Sequence, residues 1–202
     1  MKNNYCLVIL IFLLLVANLK SNGQDKNRRT DQPWQLDVAA GLHTFYAPIK
    51  DLKPERPELL TSVGWGKPLG HKQLFAVTLH LGYARNNYQG DAMYLQLLGQ
   101  YTPVIANKVE AGIGLGFGYR FAFYGNTPQK WNGQEWVKGS PFKGMYQVPV
   151  QLSVGYRSLK LDHYVVRPYL AYQLQALLGY NPDVSPLPVS AGLLGLKIQN
   201  TK

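Results

Sequence analysis

From Val109 to Phe123 every odd position is apolar or aromatic, and the even positions are Glu110, Gly112, Gly114, Gly116, Gly118, Arg120 and Ala122. A period of two over fifteen residues predicts a β-strand with one apolar face. Ordinary strands are shorter, about five or six residues. The opposite face is nearly all glycine, so it cannot pack against a second layer of large side chains. An apolar surround outside and a narrow, crowded lumen inside would require this pattern.

The alternation divides the chain from Trp34 onward into eight segments: Trp34–Tyr46, Leu59–Lys67, Gln73–Ala84, Ala92–Tyr101, Val109–Phe123, Tyr146–Arg157, His163–Tyr180 and Pro188–Gln199. In the last one the phase slips near Leu193-Leu194, which leaves its faces unassigned. The connections alternate in length. Ala47–Glu58, Arg85–Asp91, Gly125–Met145 and Asn181–Leu187 form one set; Pro68–Lys72, Thr102–Asn107 and Ser158–Asp162 form the shorter one. Short turns at one end and longer loops at the other predict an all-β fold: an eight-stranded antiparallel up-and-down transmembrane β-barrel.

The placement of aromatic residues provides a separate check. Apolar-face aromatics fall at segment ends: Trp34, Trp65, Tyr101, Tyr156 and Tyr164 at the short-turn end, and Tyr46, Tyr83, Phe123, Tyr146 and Tyr180 at the other. Two interfacial belts are expected of a membrane barrel. A soluble exported barrel or sandwich with the apolar faces inward is the alternative. It would expose glycine-rich faces and bury tyrosines whose hydroxyls need partners.

The N-terminus supplies an address. Lys2 precedes an apolar run from Cys6 to Leu19, closed by Lys20 and the small residues Ser21 and Gly23. This reads as a secretory signal peptide over 1–23, cut before Gln24, since the run is too short for a spanning helix. Residues 24–33 form a polar, disordered lead, and 34–199 the barrel. Cys6 lies inside the signal, so the exported chain carries no disulfide. Removing Lys2 and Lys20 leaves 19 basic and 11 acidic residues, a formal charge of +8. The basic residues are scattered, which argues against nucleic acid and for attraction to anionic lipid.

Candidate chemistry is sparse. The run Gly112–Gly118 alternates strictly and opens no helix, so it is not a dinucleotide loop; its glycines give clearance in a narrow lumen. Asp37, Glu110, Arg157 and Arg167 point inward near the short-turn end and predict an ion-pair cluster filling the lower lumen. His43, His80, Gln96, Arg120 and Gln173 are placed in the upper lumen. The two histidines lack an orienting carboxylate and a third ligand, so no catalytic residue, metal or cofactor is assigned. In the longest loop, Asn132-Gly133 signals a hairpin flanked by Trp131 and Trp136, with Lys130 and Lys138 beside them. This is a candidate surface for a glycan, a lipid headgroup or a protein, or a cap on the barrel mouth.

The signal peptide, the alternating strands, the Gly-aromatic run and the ending Ala191-Gly-Leu-Leu-Gly-Leu-Lys-Ile198 together resemble small, porin-like outer-membrane β-barrel proteins of Bacteroidota-type bacteria. The chain departs from that pattern by ending Ile198-Gln-Asn-Thr-Lys202 rather than on an aromatic residue. The resemblance implies the outer membrane of a Gram-negative cell, with lipopolysaccharide and the barrel-assembly machinery as partners. The two aromatic belts and the lack of a catalytic constellation point to a non-enzymatic role as envelope structural protein, small-solute pore or loop-based binder. A lipid A deacylase or acyltransferase is the alternative, but no histidine here lies in the deacylase His-x-Ser-Asn segment.

Overall fold

The computed structural model describes residues 33–45, 56–70, 72–87, 90–125, 127, 129–157, 159–161, 163–180 and 185–200. The signal peptide, the polar lead up to residue 32, Tyr46 and His71 lie outside the described residues. Eight main strands follow the alternation: β1 (Gln35–Thr44), β2 (Glu58–Leu69), β3 (Phe75–Ala84), β4 (Asp91–Tyr101), β5 (Val109–Phe123), β6 (Phe142–Tyr156), β7 (Tyr164–Leu178) and β8 (Leu187–Asn200). Each pairs antiparallel with its neighbours in sequence, and β1 pairs with β8 from Gln35–Gln199 to Thr44–Ser190. The sheet therefore closes on itself as an eight-stranded up-and-down barrel with no free edge.

The stagger of this closure follows from the register. Paired residues lead from Leu187 through Leu177, Gln147, Gly118, Gln96, His80, Gly64 and Asp37 to Lys197. The circuit returns to β8 ten residues from its start. With eight strands this stagger tilts them by roughly 40° and leaves a lumen only wide enough for side chains. The β5–β6 ladder lacks pairs at Gly116 and Phe117, where Pro149 on β6 has no amide hydrogen to donate.

Inside, large rings sit over glycines on the facing strand. Tyr94 pairs with Gly82, Tyr169 with Gly195 and His80 with Gly64. A Cβ on Gly82 would stand 2.1 Å from the Tyr94 ring, and one on Gly195 2.3 Å from that of Tyr169. The rings close the mid-lumen with Leu60, Ala39, Ala171 and Leu193. A second apolar cluster, Ala92, Ala122, Met145, Leu177 and Val189, fills the lumen toward the long-loop end.

Several boundaries differ from the sequence expectation. β6 begins at Phe142, so the long loop is shorter than Gly125–Met145, because Phe142 to Met145 pair with Arg120 to Phe123 of β5. β8 alternates without a slip: Val189, Ala191, Leu193, Lys197 and Gln199 are buried, whereas Leu194 and Leu196 face outward. Two adjacent leucines on opposite faces only mimic a slip. Tyr180 leaves the outer belt; β7 ends at Leu178, and Gly179 (φ 83°) turns Tyr180 over the mouth onto the second cluster. Lys143 Nζ donates to its carbonyl oxygen.

Gly192 and Gly195 on β8 face opposite sides, and open space surrounds a Cβ at Gly192. Gly195→Ala should therefore lower unfolding free energy by about 1–3 kcal/mol through overpacking against Tyr169. Gly192→Ala should be neutral, or stabilising by up to about 1 kcal/mol, because a strand glycine loses more chain entropy. Urea titrations of the refolded chain, read by tryptophan fluorescence, separate the two.

Candidate functional site

Three regions bear on function: the lower lumen, the middle and upper lumen, and the exposed hairpin. In the lower lumen Arg157 Nε stands 3.7 Å from Glu110 Oε1, and Arg157 also donates to the Lys72 carbonyl at 3.1 Å. Arg167 donates to Gln73 Oε1 at 2.6 Å and to Gln199 Oε1 at 3.2 Å. Asp37 is fully buried and accepts a 2.7 Å bond from the Tyr169 hydroxyl; its second oxygen has no partner. The four charges share one end of the lumen, but only Glu110 and Arg157 are directly paired. Arg157 adds a backbone carbonyl, and Arg167 uses two glutamine side-chain oxygens instead of a carboxylate.

Lys197 was missing from the sequence expectation because its strand had no assigned face. It pairs with Asp37 in register, donates to Gln100 Oε1 at 2.8 Å and lies 5.2 Å from the Tyr169 ring centroid. Asp37, Tyr169, Lys197 and Gln100 thus form one buried polar set spanning β1, β7, β8 and β4. Alternation from the outward Leu194 and Leu196 puts Lys197 on the inward face; its place beside Asp37 comes from the β1–β8 register. A small cleft beside it is lined by Thr102, Glu110, Ser153 and Arg167.

The middle and upper lumen hold the remaining sequence candidates. Gln96 accepts from Gln147 at 2.9 Å, while Gln175 donates to Gln173 at 2.7 Å and Gln173 to Gln151 at 3.3 Å. His43 Nε2 bonds the Arg85 carbonyl at 2.9 Å, and its ring meets Phe45 edge-on. His80 presses on Gly64, in register with Gln96. Arg120 is almost fully buried, in register with Tyr94 and Met145. His43 and His80 stand on β1 and β3, which β2 separates. Among the described residues no three metal-ligating side chains assemble, and no helix is long and apolar enough to cross a membrane, which says nothing about strands.

Beyond the barrel mouth, Gln129–Trp131 and Trp136–Lys138 pair as a separate two-stranded hairpin. Asn132 Oδ1 accepts from the amides of Gln134 and Glu135, and Gly133 (φ 105°) completes the turn. Trp131 and Trp136 pair across it with centroids 5.6 Å apart at 58°, 49% and 65% exposed. Lys138 is exposed at the hairpin's end, and Lys130 is described through its backbone only.

On the outer wall, Trp34 and Trp65 meet at 5.9 Å and Phe75 and Tyr101 at 4.8 Å near the short-turn end. Near the other end Tyr119 contacts Phe121 at 4.6 Å and Tyr146 at 5.1 Å. Between them the exposed residues are mainly aliphatic, among them Val77, Leu79, Leu95, Ile113, Leu152 and Leu194, with Phe117 also in the band. Tyr172 stands within this band, and its hydroxyl is satisfied by Ser190 Oγ at 2.8 Å.

A closed, antiparallel eight-stranded barrel with an apolar outer wall is the class the fold defines. The same fold occurs in the crystal structure of Neisserial surface protein A, at 10% identity and a TM-score of 0.56, covering 82% of this chain and 96% of that one. The N-terminal β-barrel domain of Pseudomonas aeruginosa OprF aligns at 11% identity and a TM-score of 0.48, over 81% of this chain and 96% of that domain. No protein-family model matches the chain, and no curated protein matches it in sequence.

If the lower set acts as a unit, removing two members will not be additive. A double-mutant cycle of Asp37→Asn and Lys197→Met should give a coupling of about 0.5–3 kcal/mol. Additive losses in urea unfolding would mean that the two charges act separately.

Proposed function

We propose that this chain is a non-enzymatic outer-membrane β-barrel of a Gram-negative bacterium, with a side-chain-filled lumen and loops displayed outside. The observation that carries this reading is the outer wall: an aliphatic band bounded by aromatics at both ends. From Tyr146 to Tyr156 is ten residues, roughly 33 Å of strand. Tilted by about 40°, that span covers roughly 25 Å along the barrel axis, the height of a membrane barrel's apolar band. In water such a wall would be a very large exposed apolar surface, which soluble monomers rarely carry. The Tyr172–Ser190 bond supports the same reading, because a polar group facing lipid needs an internal partner.

The expected export signal and the shared fold of a bacterial surface protein are consistent with this location. The filled lumen favours an envelope-structural or loop-based binding role over a small-solute pore. The Trp131–Trp136 hairpin is the proposed binding element, for a glycan or a protein, with lipopolysaccharide around the wall and the barrel-assembly machinery acting in insertion. Modification of lipid A has no supporting constellation in the described lumen or on the described loops.

The refolded chain should be heat-modifiable on gels after detergent extraction, as closed barrels are. In planar bilayers it should show no steady conductance; a stable open channel would require a different lumen. Lipid A acyl chains should be identical by mass spectrometry with and without the gene. A changed acyl pattern would favour the enzyme alternative. Recovery of the chain as a soluble periplasmic protein would remove the membrane reading.

A further inference from the structure

The short-turn end differs from the long-loop end in its exposed charge. At the long-loop end the described charges are mixed: Arg56, Arg85, Lys138 and Lys143 with Glu58, Asp91 and Glu135. At the short-turn end the rim presents Lys67, Lys72, Lys108 and Lys160, and among the described residues no carboxylate lies within 4 Å of any of them. The only rim carboxylate described there, Glu110, is taken by Arg157.

Two of these lysines, Lys67 and Lys108, stand at the lower aromatic belt. Lys67 Nζ lies 5.6 Å from the Trp34 ring centroid and Lys108 Nζ 5.9 Å from that of Tyr156. Each ammonium thus lies within cation–π range of an aromatic ring of the belt, at the border between the apolar wall and the turns. The turns add exposed apolar residues beside them: Ile105 near Lys108, and Leu159 and Leu161 flanking Lys160. An apolar tip with an unpaired cation suits a boundary between acyl chains and phosphate.

Resting on the membrane reading above, we infer that this lysine rim is a binding surface for anionic glycerophospholipid headgroups in the leaflet nearest the chain termini. Both ends of the barrel domain emerge there, since Gln35 pairs with Gln199. A headgroup with net negative charge complements the four lysines, whereas a zwitterionic one brings its own cation. Each lysine near an anionic surface contributes at most roughly fivefold in association.

The test is electron spin resonance of spin-labelled phosphatidylglycerol and phosphatidylcholine in phosphatidylcholine bilayers holding the full exported chain. The motion-restricted fraction beside the protein is expected to favour phosphatidylglycerol by about threefold or more, and less as salt rises. The variant Lys67→Gln/Lys108→Gln/Lys160→Gln should bring the ratio close to one. The long-loop variant Arg85→Gln/Lys138→Gln should keep it, and heat modifiability checks that both are folded. An inserted wild-type chain with equal fractions, or a ratio lost only in the long-loop variant, would overturn the rim assignment alone. A wild-type preference that does not fall as salt rises would do the same. No motion-restricted lipid of either kind would overturn the membrane reading itself.

Discussion

The closure of β8 onto β1 with a ten-residue stagger is the constraint on which the rest of the molecule depends. Strand number and stagger together fix the tilt and the cross-section of the barrel. A lumen this narrow cannot hold large side chains on all facing strands, so glycine must stand wherever a ring crosses. Gly82 under Tyr94 and Gly195 under Tyr169 meet that condition. Closure also leaves no unpaired sheet edge, which an apolar surround would not tolerate.

The interior inverts the usual division of a globular protein. Buried positions carry glutamines, histidines, an arginine, a lysine and an aspartate, interleaved with two apolar clusters. Burying polar groups is costly unless they bond each other. The glutamine chains and the Asp37–Tyr169 bond answer that cost across strands far apart in sequence. Outside, the wall exposes a largely aliphatic band. The lumen and the wall are thus two consequences of one alternating pattern.

Much of this was legible in the residues. The period of two assigned the faces of β1 to β7, and the aromatics that ended apolar runs marked both rims. Legibility ended where the pattern was locally ambiguous. Leu193-Leu194 looked like a slipped phase, so Lys197 was not assigned to the lumen. Tyr180 matched the outward parity, but the chain had already turned at Gly179. The early start of β6 was hidden because Lys143-Gly144 does not read as strand, although pairing with β5 holds it there. In the candidate site, the inward placement of Asp37, Glu110, Arg157 and Arg167 was readable, but their partners were not.

By itself the sequence determined which side of β1 to β7 is apolar and how many strands there are, because side-chain alternation and turn chemistry are local properties. Tertiary structure alone decided who meets whom in the lumen. Tyr169 reaches Asp37 across 132 positions of chain, and Lys197 reaches Gln100 across 97. Those meetings are set by the stagger of closure, a property of all eight strands at once that no single strand encodes. A shift of two residues in one register would keep every face the same and still change the partners that meet across that seam.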